Sequence, residues 1–125
     1  MNLSSLPFED LPPDASGLED TLQRLQLEEM LAKYFYDACH PEQQALLSNC
    51  EWYITTYSEV PTLIIECPDQ IVNWKVLKSL VKIGGVLKRI AKQGKIRVYS
   101  PASKNAPFEM RVDELPVYRY PDLLS

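Results

Sequence analysis

The sequence has little that would support chemistry of its own. Histidine occurs once, at His40, and the three cysteines, Cys39, Cys50 and Cys67, stand 11 and 17 residues apart with no C-x-x-C pair among them. No zinc site is expected from such a set, and an odd number of thiols at these spacings fits reduced cysteines better than a disulfide framework. No apolar run approaches the roughly 18 residues of a membrane-spanning helix; Leu63 to Ile65 is among the longest. Glycine is scarce, with four residues, and no phosphate-binding loop, nucleophile elbow or dinucleotide fingerprint can be assembled from them. Glu19, Asp20, Glu28 and Glu29 decorate a helical pattern without the cleft and unequal environments that acid-base catalysis needs. A protein without catalysis, metal or cofactor is expected. The opening "MNLSSLPFEDLPPDASG" carries acids and prolines where a signal peptide needs a basic start and an apolar block, so a cytoplasmic location is expected.

One further absence is informative. Residues 71–104 hold nine Lys and Arg and no Asp or Glu, whereas residues 1–70 hold thirteen acids and two bases. The overall charge of −4 therefore conceals a chain with an acidic first half and a basic segment behind it.

The prolines crowd the ends, with Pro7, Pro12 and Pro13 at one and Pro101, Pro107, Pro116 and Pro121 at the other. They divide the chain into a flexible acidic segment over 1–17, a folded domain over 18–100 and a Pro-rich tail over 101–125. Ser16 and Glu19 have the spacing of a capping box. Leu18, Leu22, Leu25, Leu27, Met30, Leu31, Tyr34, Phe35 and Ala38 then follow a helical period with one broad buried face, to about residue 38. Pro41 opens a short helix that Asn49 stops, and His40 lies at the junction in a surface or capping role. "EWYITTY" and "TLIIEC" alternate as strands and, with "SEVP" between them, read as an antiparallel hairpin.

Asp69 caps the helix "QIVNWKVLKSLVKIG", on which Val72, Trp74, Val76, Leu77, Leu80, Val81 and Ile83 form a wide buried arc. Gly84 and Gly85 are expected to break this helix and "VLKRIAKQ" to restart it. Gly94 gives a left-handed exit, and "KIRVYS" forms a last strand with Ile96 and Val98 on one side. Phe108, Met110 and Val112 are candidates for an added edge strand. The tail tyrosines Tyr118 and Tyr120 are read as packing back on the domain, with a docking peptide as the alternative.

From Thr62 to Ser100 the order of strand, helix, glycine turn, short helix and strand, with "GG-xx-K-x-I-xxx-G-K-I-R-V", resembles a KH domain. The helix and strand placed before it resemble the type II arrangement. The positions aligned with the family's G-x-x-G turn are Lys82, Ile83, Gly84 and Gly85. "TLIIECPDQIVNWKV" also resembles the N-terminal domain of the bacterial replication initiator DnaA, a likeness that implies an adaptor. Each resemblance covers about a third of the chain. Together they imply an α+β fold, a three-stranded sheet with helices on one face, in the order helix-helix-strand-strand-helix-short helix-strand.

Lys75, Lys78, Lys82, Lys88, Arg89, Lys92, Lys95 and Arg97 would then form a basic helix-turn-helix surface around Gly84 and Gly85, with Tyr99 as the residue best placed to stack a base. Three readings of that surface stand side by side. It contacts single-stranded nucleic acid; it recognises an acidic protein surface or another copy's acidic half in a homodimer; or it is a solvated face that offsets the acidic first helix.

Overall fold

The computed structural model describes residues 15–58, 60–102 and 106–114. The proline-rich ends, with Tyr118 and Tyr120, lie outside the described residues. The elements in order are α1 (Ala15–Ala38), α2 (Pro41–Ser48), β1 (Glu51–Thr55), β2 (Thr62–Glu66), α3 (Gln70–Lys78), α4 (Leu80–Ile90), β3 (Lys95–Tyr99) and β4 (Phe108–Arg111), followed by a 3-10 turn over Val112–Glu114. The fold is α+β with one mixed sheet.

That sheet has four strands in the order β1-β2-β3-β4. β1 and β2 form the expected antiparallel hairpin, with Trp52 opposite Ile65 and Ile54 opposite Leu63. β2 and β3 run parallel, Ile65 beside Val98. Parallel neighbours cannot be joined by a tight turn, and here α3 and α4 make the crossover. The three-stranded expectation is corrected by β4, which pairs antiparallel with β3 and places Met110 beside Ile96. The sheet thus extends past residue 100.

All four helices cover one face. Phe35 of α1, Leu47 of α2, Val76 of α3 and Leu80, Ile83 and Leu87 of α4 share a single core with Leu63, Ile65, Ile96 and Val98. Trp52 packs edge-on to Phe35 with ring centroids 5.7 Å apart and stacks on Tyr36 at 5.8 Å. The other face holds Tyr53, Ile64, Arg97 and Glu109 in one row across the ladder. Ile64 is buried there between its two cross-strand neighbours.

α1 departs from its expected burial. It starts at Ala15, ahead of the Ser16 cap, and of its apolar stripe only Phe35 is wholly buried. Leu18, Leu22, Leu25, Leu27, Met30 and Tyr34 are 45% to 58% exposed. Met30 and Tyr34 lie on the solvent side of the half that carries Phe35; for the leucines of the first turns the reason is length. A helix of 24 residues spans about 36 Å, whereas strands of five residues span about 17 Å, so the first turns of α1 overhang the sheet.

Candidate binding face on the crossover helices

The acid-free segment contains the crossover helices. The Asp69 carboxylate accepts the Val72 N–H at 2.8 Å and starts α3 as expected. α3 stops at Ser79, whose φ of −96° and ψ of 4° leave the helical range. The Ser79 N–H is shared between the carbonyls of Lys75 and Val76, each at 3.1 Å, and its own carbonyl accepts the Ile83 N–H at 2.9 Å to begin α4.

The corner between the helices is therefore at Ser79 and not at the glycine pair. Gly84 and Gly85 lie inside α4, and no described residue, glycine included, has a positive φ. Burial of Leu80, Ile83, Val86 and Leu87 holds the helix through both glycines, because tertiary packing outweighs a propensity deficit of about 1 kcal/mol per glycine. Gly94 likewise needs no left-handed backbone. It is fixed by close approach, since a Cβ there would lie 3.2 Å from the carbonyl oxygens of Ala91 and Pro61.

Along the two helices the exposed positions are Gln70, Ile71, Trp74, Lys75, Lys78, Lys82 and Arg89, with Gly85 and Lys88 half-buried among them and Lys92 exposed in the turn just after α4. Within each helix these positions recur mostly at steps of three and four, so each helix carries an exposed basic face. Trp74 is the main surprise: it leaves the expected buried arc and is 63% exposed, beside Ile71 at 69%. α3 buries only Val76 completely, with Val72 and Leu77 packed partly against the core. Among the described residues none of Lys75, Lys78, Lys82, Lys88, Arg89 or Lys92 makes an ion pair. Gly85 stands between Lys82 and Arg89 with open space where a Cβ would be, so the helix backbone itself is accessible there.

Lys95, Arg97 and Tyr99 belong elsewhere. They alternate with the buried Ile96 and Val98 and so face the helix-free side of the sheet. Glu109 of β4 accepts from Arg97 Nε at 2.9 Å and lies 3.6 Å from Lys95 Nζ. The Arg97 hydrogen bond, helped by the nearby Lys95 charge, holds the Glu109 carboxyl below the usual carboxylate range. The eight basic residues thus divide into six without ion pairs, five on the helices and Lys92 in the turn after α4, and two paired with Glu109 on the sheet. Tyr99 is separated from those six, and Trp74 is the aromatic that accompanies them. Glu109 lies in the region read only as a candidate edge strand, so its pairing had no sequence signal beyond alternation.

Clefts open among the described residues. One, of about 680 Å³, is lined by Cys50, Glu51, Glu66, Cys67, Tyr99 and Ser100 among others. Another, of about 400 Å³, is lined by Ser58, Val60, Gln93, Lys95 and Arg111. Among the described residues no three His, Cys, Asp or Glu gather as a metal site. No helix among them is long and apolar enough to cross a membrane. In comparisons with known proteins, no family model, no curated protein and no solved structure matches the chain.

Proposed function

We propose that the chain is a non-catalytic binding module that holds single-stranded nucleic acid on the exposed face of α3 and α4. The observation that carries this reading is an exposed indole, Trp74, accompanied by six cations that no described carboxylate pairs with. A π-face stacks any base, and the flanking ammonium groups neutralise phosphates and release counterions. Lysine is depleted at protein-protein interfaces, which favours a phosphate backbone over a protein partner for this face. The bare backbone at Gly85 gives a strand room to approach α4 closely. In this reading the helix pair takes the part that the glycine turn plays in KH domains.

The test is binding of a fluorescein-labelled single-stranded oligonucleotide, followed by anisotropy across a salt series. With about four phosphate contacts, log affinity falls against log salt with a slope near −3. Changing Lys82, Lys88 and Lys92 together to Glu abolishes binding, while Arg97→Gln, on the other face, leaves it within about a factor of two. Absence of binding at low salt overturns the reading.

A second reading has its own observation. The overhanging half of α1 exposes Leu18, Leu22 and Leu25 at helical spacing, which suits an adaptor that meets a protein partner or a second copy, as the likeness to the DnaA N-terminal domain implies. Sedimentation of the full chain tests it. A monomer at high concentration that brings down no protein from nuclease-treated extract removes this alternative.

A further inference from the structure

Cys50 and Cys67 flank the hairpin strands. Cys50 directly precedes β1 and Cys67 directly follows β2, so they take the rung beyond the Glu51–Glu66 pair. The Cys67 N–H donates to the Tyr99 carbonyl on β3 at 2.9 Å, which turns its peptide groups away from β1. In an antiparallel ladder this makes the rung a non-hydrogen-bonded one, where Cα atoms are about 4.5 Å apart. Disulfides span Cα separations of roughly 4.4–6.8 Å. The two thiols are close enough to influence each other's ionisation.

Their surroundings differ. Cys67 Sγ accepts a hydrogen bond from Asn73 Nδ2 at 3.7 Å, which favours a thiolate there, whereas Cys50 Sγ donates to the Leu46 carbonyl at 3.6 Å. Cys50, half-buried, and Cys67, buried, are both lining residues of the 680 Å³ cleft, which is the route by which a small molecule would approach them. Glu51 and Glu66 line the same cleft and Asp69 lies close by, giving it a negative field that repels anions. Cys39, buried to the same degree as Cys67, is not among the residues that line the cleft.

We propose that Cys50 and Cys67 form a thiol-disulfide exchange site that accepts small neutral or cationic organic disulfides. The Cys67 thiolate attacks one sulfur of the disulfide RSSR and expels RS⁻, leaving a mixed disulfide. Cys50 gives up its proton and attacks the Cys67 sulfur, forming the Cys50–Cys67 bond and expelling the second RS⁻. Two protein thiols are oxidised, one RSSR is reduced to two RSH, and the two protons released by the cysteines end on the two leaving groups. Burial, the largest influence on both, pushes the Cys50 thiol up to about 12 and raises Cys67 as well. The reaction therefore accelerates as pH rises from neutrality.

The experiment treats the full folded chain with bis(2-hydroxyethyl) disulfide, then alkylates the remaining thiols and maps peptides by mass spectrometry. The expected product has lost two hydrogens, carries a Cys50–Cys67 link and leaves Cys39 alkylated. Cys50→Ser, or Cys50→Ala if the serine form folds poorly, halts at a stable mixed disulfide on Cys67. Asn73→Ala slows the first step without changing the product. Dicationic cystamine reacts at least several-fold faster than oxidised glutathione, which is anionic. A folded wild-type chain that stays unmodified, accumulates a mixed adduct or links through Cys39 overturns the proposal.

Discussion

Glu28 and Thr56, 28 positions apart, are joined by two hydrogen bonds: the Glu28 carboxylate accepts the Thr56 backbone N–H at 2.6 Å and its hydroxyl at 2.9 Å. The same oxygen receives Arg24 at 3.3 Å, and the Arg24 guanidinium lies 3.9 Å over the Tyr57 ring. This is what ties α1 to the loop after β1. Hydrogen bonds to a half-buried charge contribute about 1.5–3 kcal/mol. Glu28→Ala should lower the unfolding free energy by that amount, read as a lower urea midpoint at an unchanged denaturant slope, and Glu28→Gln should lose less because its amide oxygen still accepts.

Gly85 and Gly94 should respond to alanine in opposite directions. At Gly85 a Cβ meets nothing within 4 Å and the backbone is helical, so Gly85→Ala should stabilise by about 0.5–1 kcal/mol. At Gly94 the new Cβ would press on two backbone oxygens at 3.2 Å, which costs about 1–3 kcal/mol. Thermal melts of both variants check this. A Gly85→Ala protein that melts lower than wild type contradicts a helix running through the glycine pair.

Trp74→Ala separates binding from folding. Because the side chain is mostly in water, its removal should shift stability by no more than about 0.5 kcal/mol. Loss of a stacked base should weaken oligonucleotide binding by about 1–3 kcal/mol, with the salt slope unchanged because no phosphate contact is removed. Anisotropy titrations at two salt concentrations provide the measurement.

Alkaline pH should destabilise the fold through its thiols. Burial pushes Cys39 from its ordinary value of 9.0 up to about 11. Above pH 9 the unfolded chain releases a proton that the folded chain keeps, so stability is full below that value and declines until the folded thiol also ionises near 11. The slope approaches about 1.4 kcal/mol per pH unit for each such thiol. Urea midpoints of wild type and Cys39→Ala between pH 8 and about 11 should show a shallower decline in the variant.

The first three strands and the Asp69 cap were legible in the sequence because their signals are local. Alternation of Ile96 and Val98 with Lys95 and Arg97 gives the two faces of β3, and Asp69 marks the start of α3 by its own chemistry. What was not legible depended on where elements end relative to one another. A helical projection counts Trp74 with Val76 and Leu77 as one apolar arc. Only the docking of α3 decides that Val76 faces the sheet and Trp74 faces water. The leucines of α1 follow a core-like period, but a period carries no information about how far the sheet beneath them reaches. The glycine pair misled for a related reason. Local propensity marks it as a breaker, while four buried neighbours on α4 keep the helix intact.

The proposed binding surface is also the connection that carries the chain from β2 to β3. Those two strands sit at the centre of the sheet and are the sole parallel pair among the described strands. Any molecule that grips this connection in its folded form must hold the sheet closed across its middle. Occupancy will then be felt by the whole domain as a single cooperative unit, with slower unfolding and a higher melting temperature. A graded local stiffening confined to the two helices is not the behaviour this topology produces.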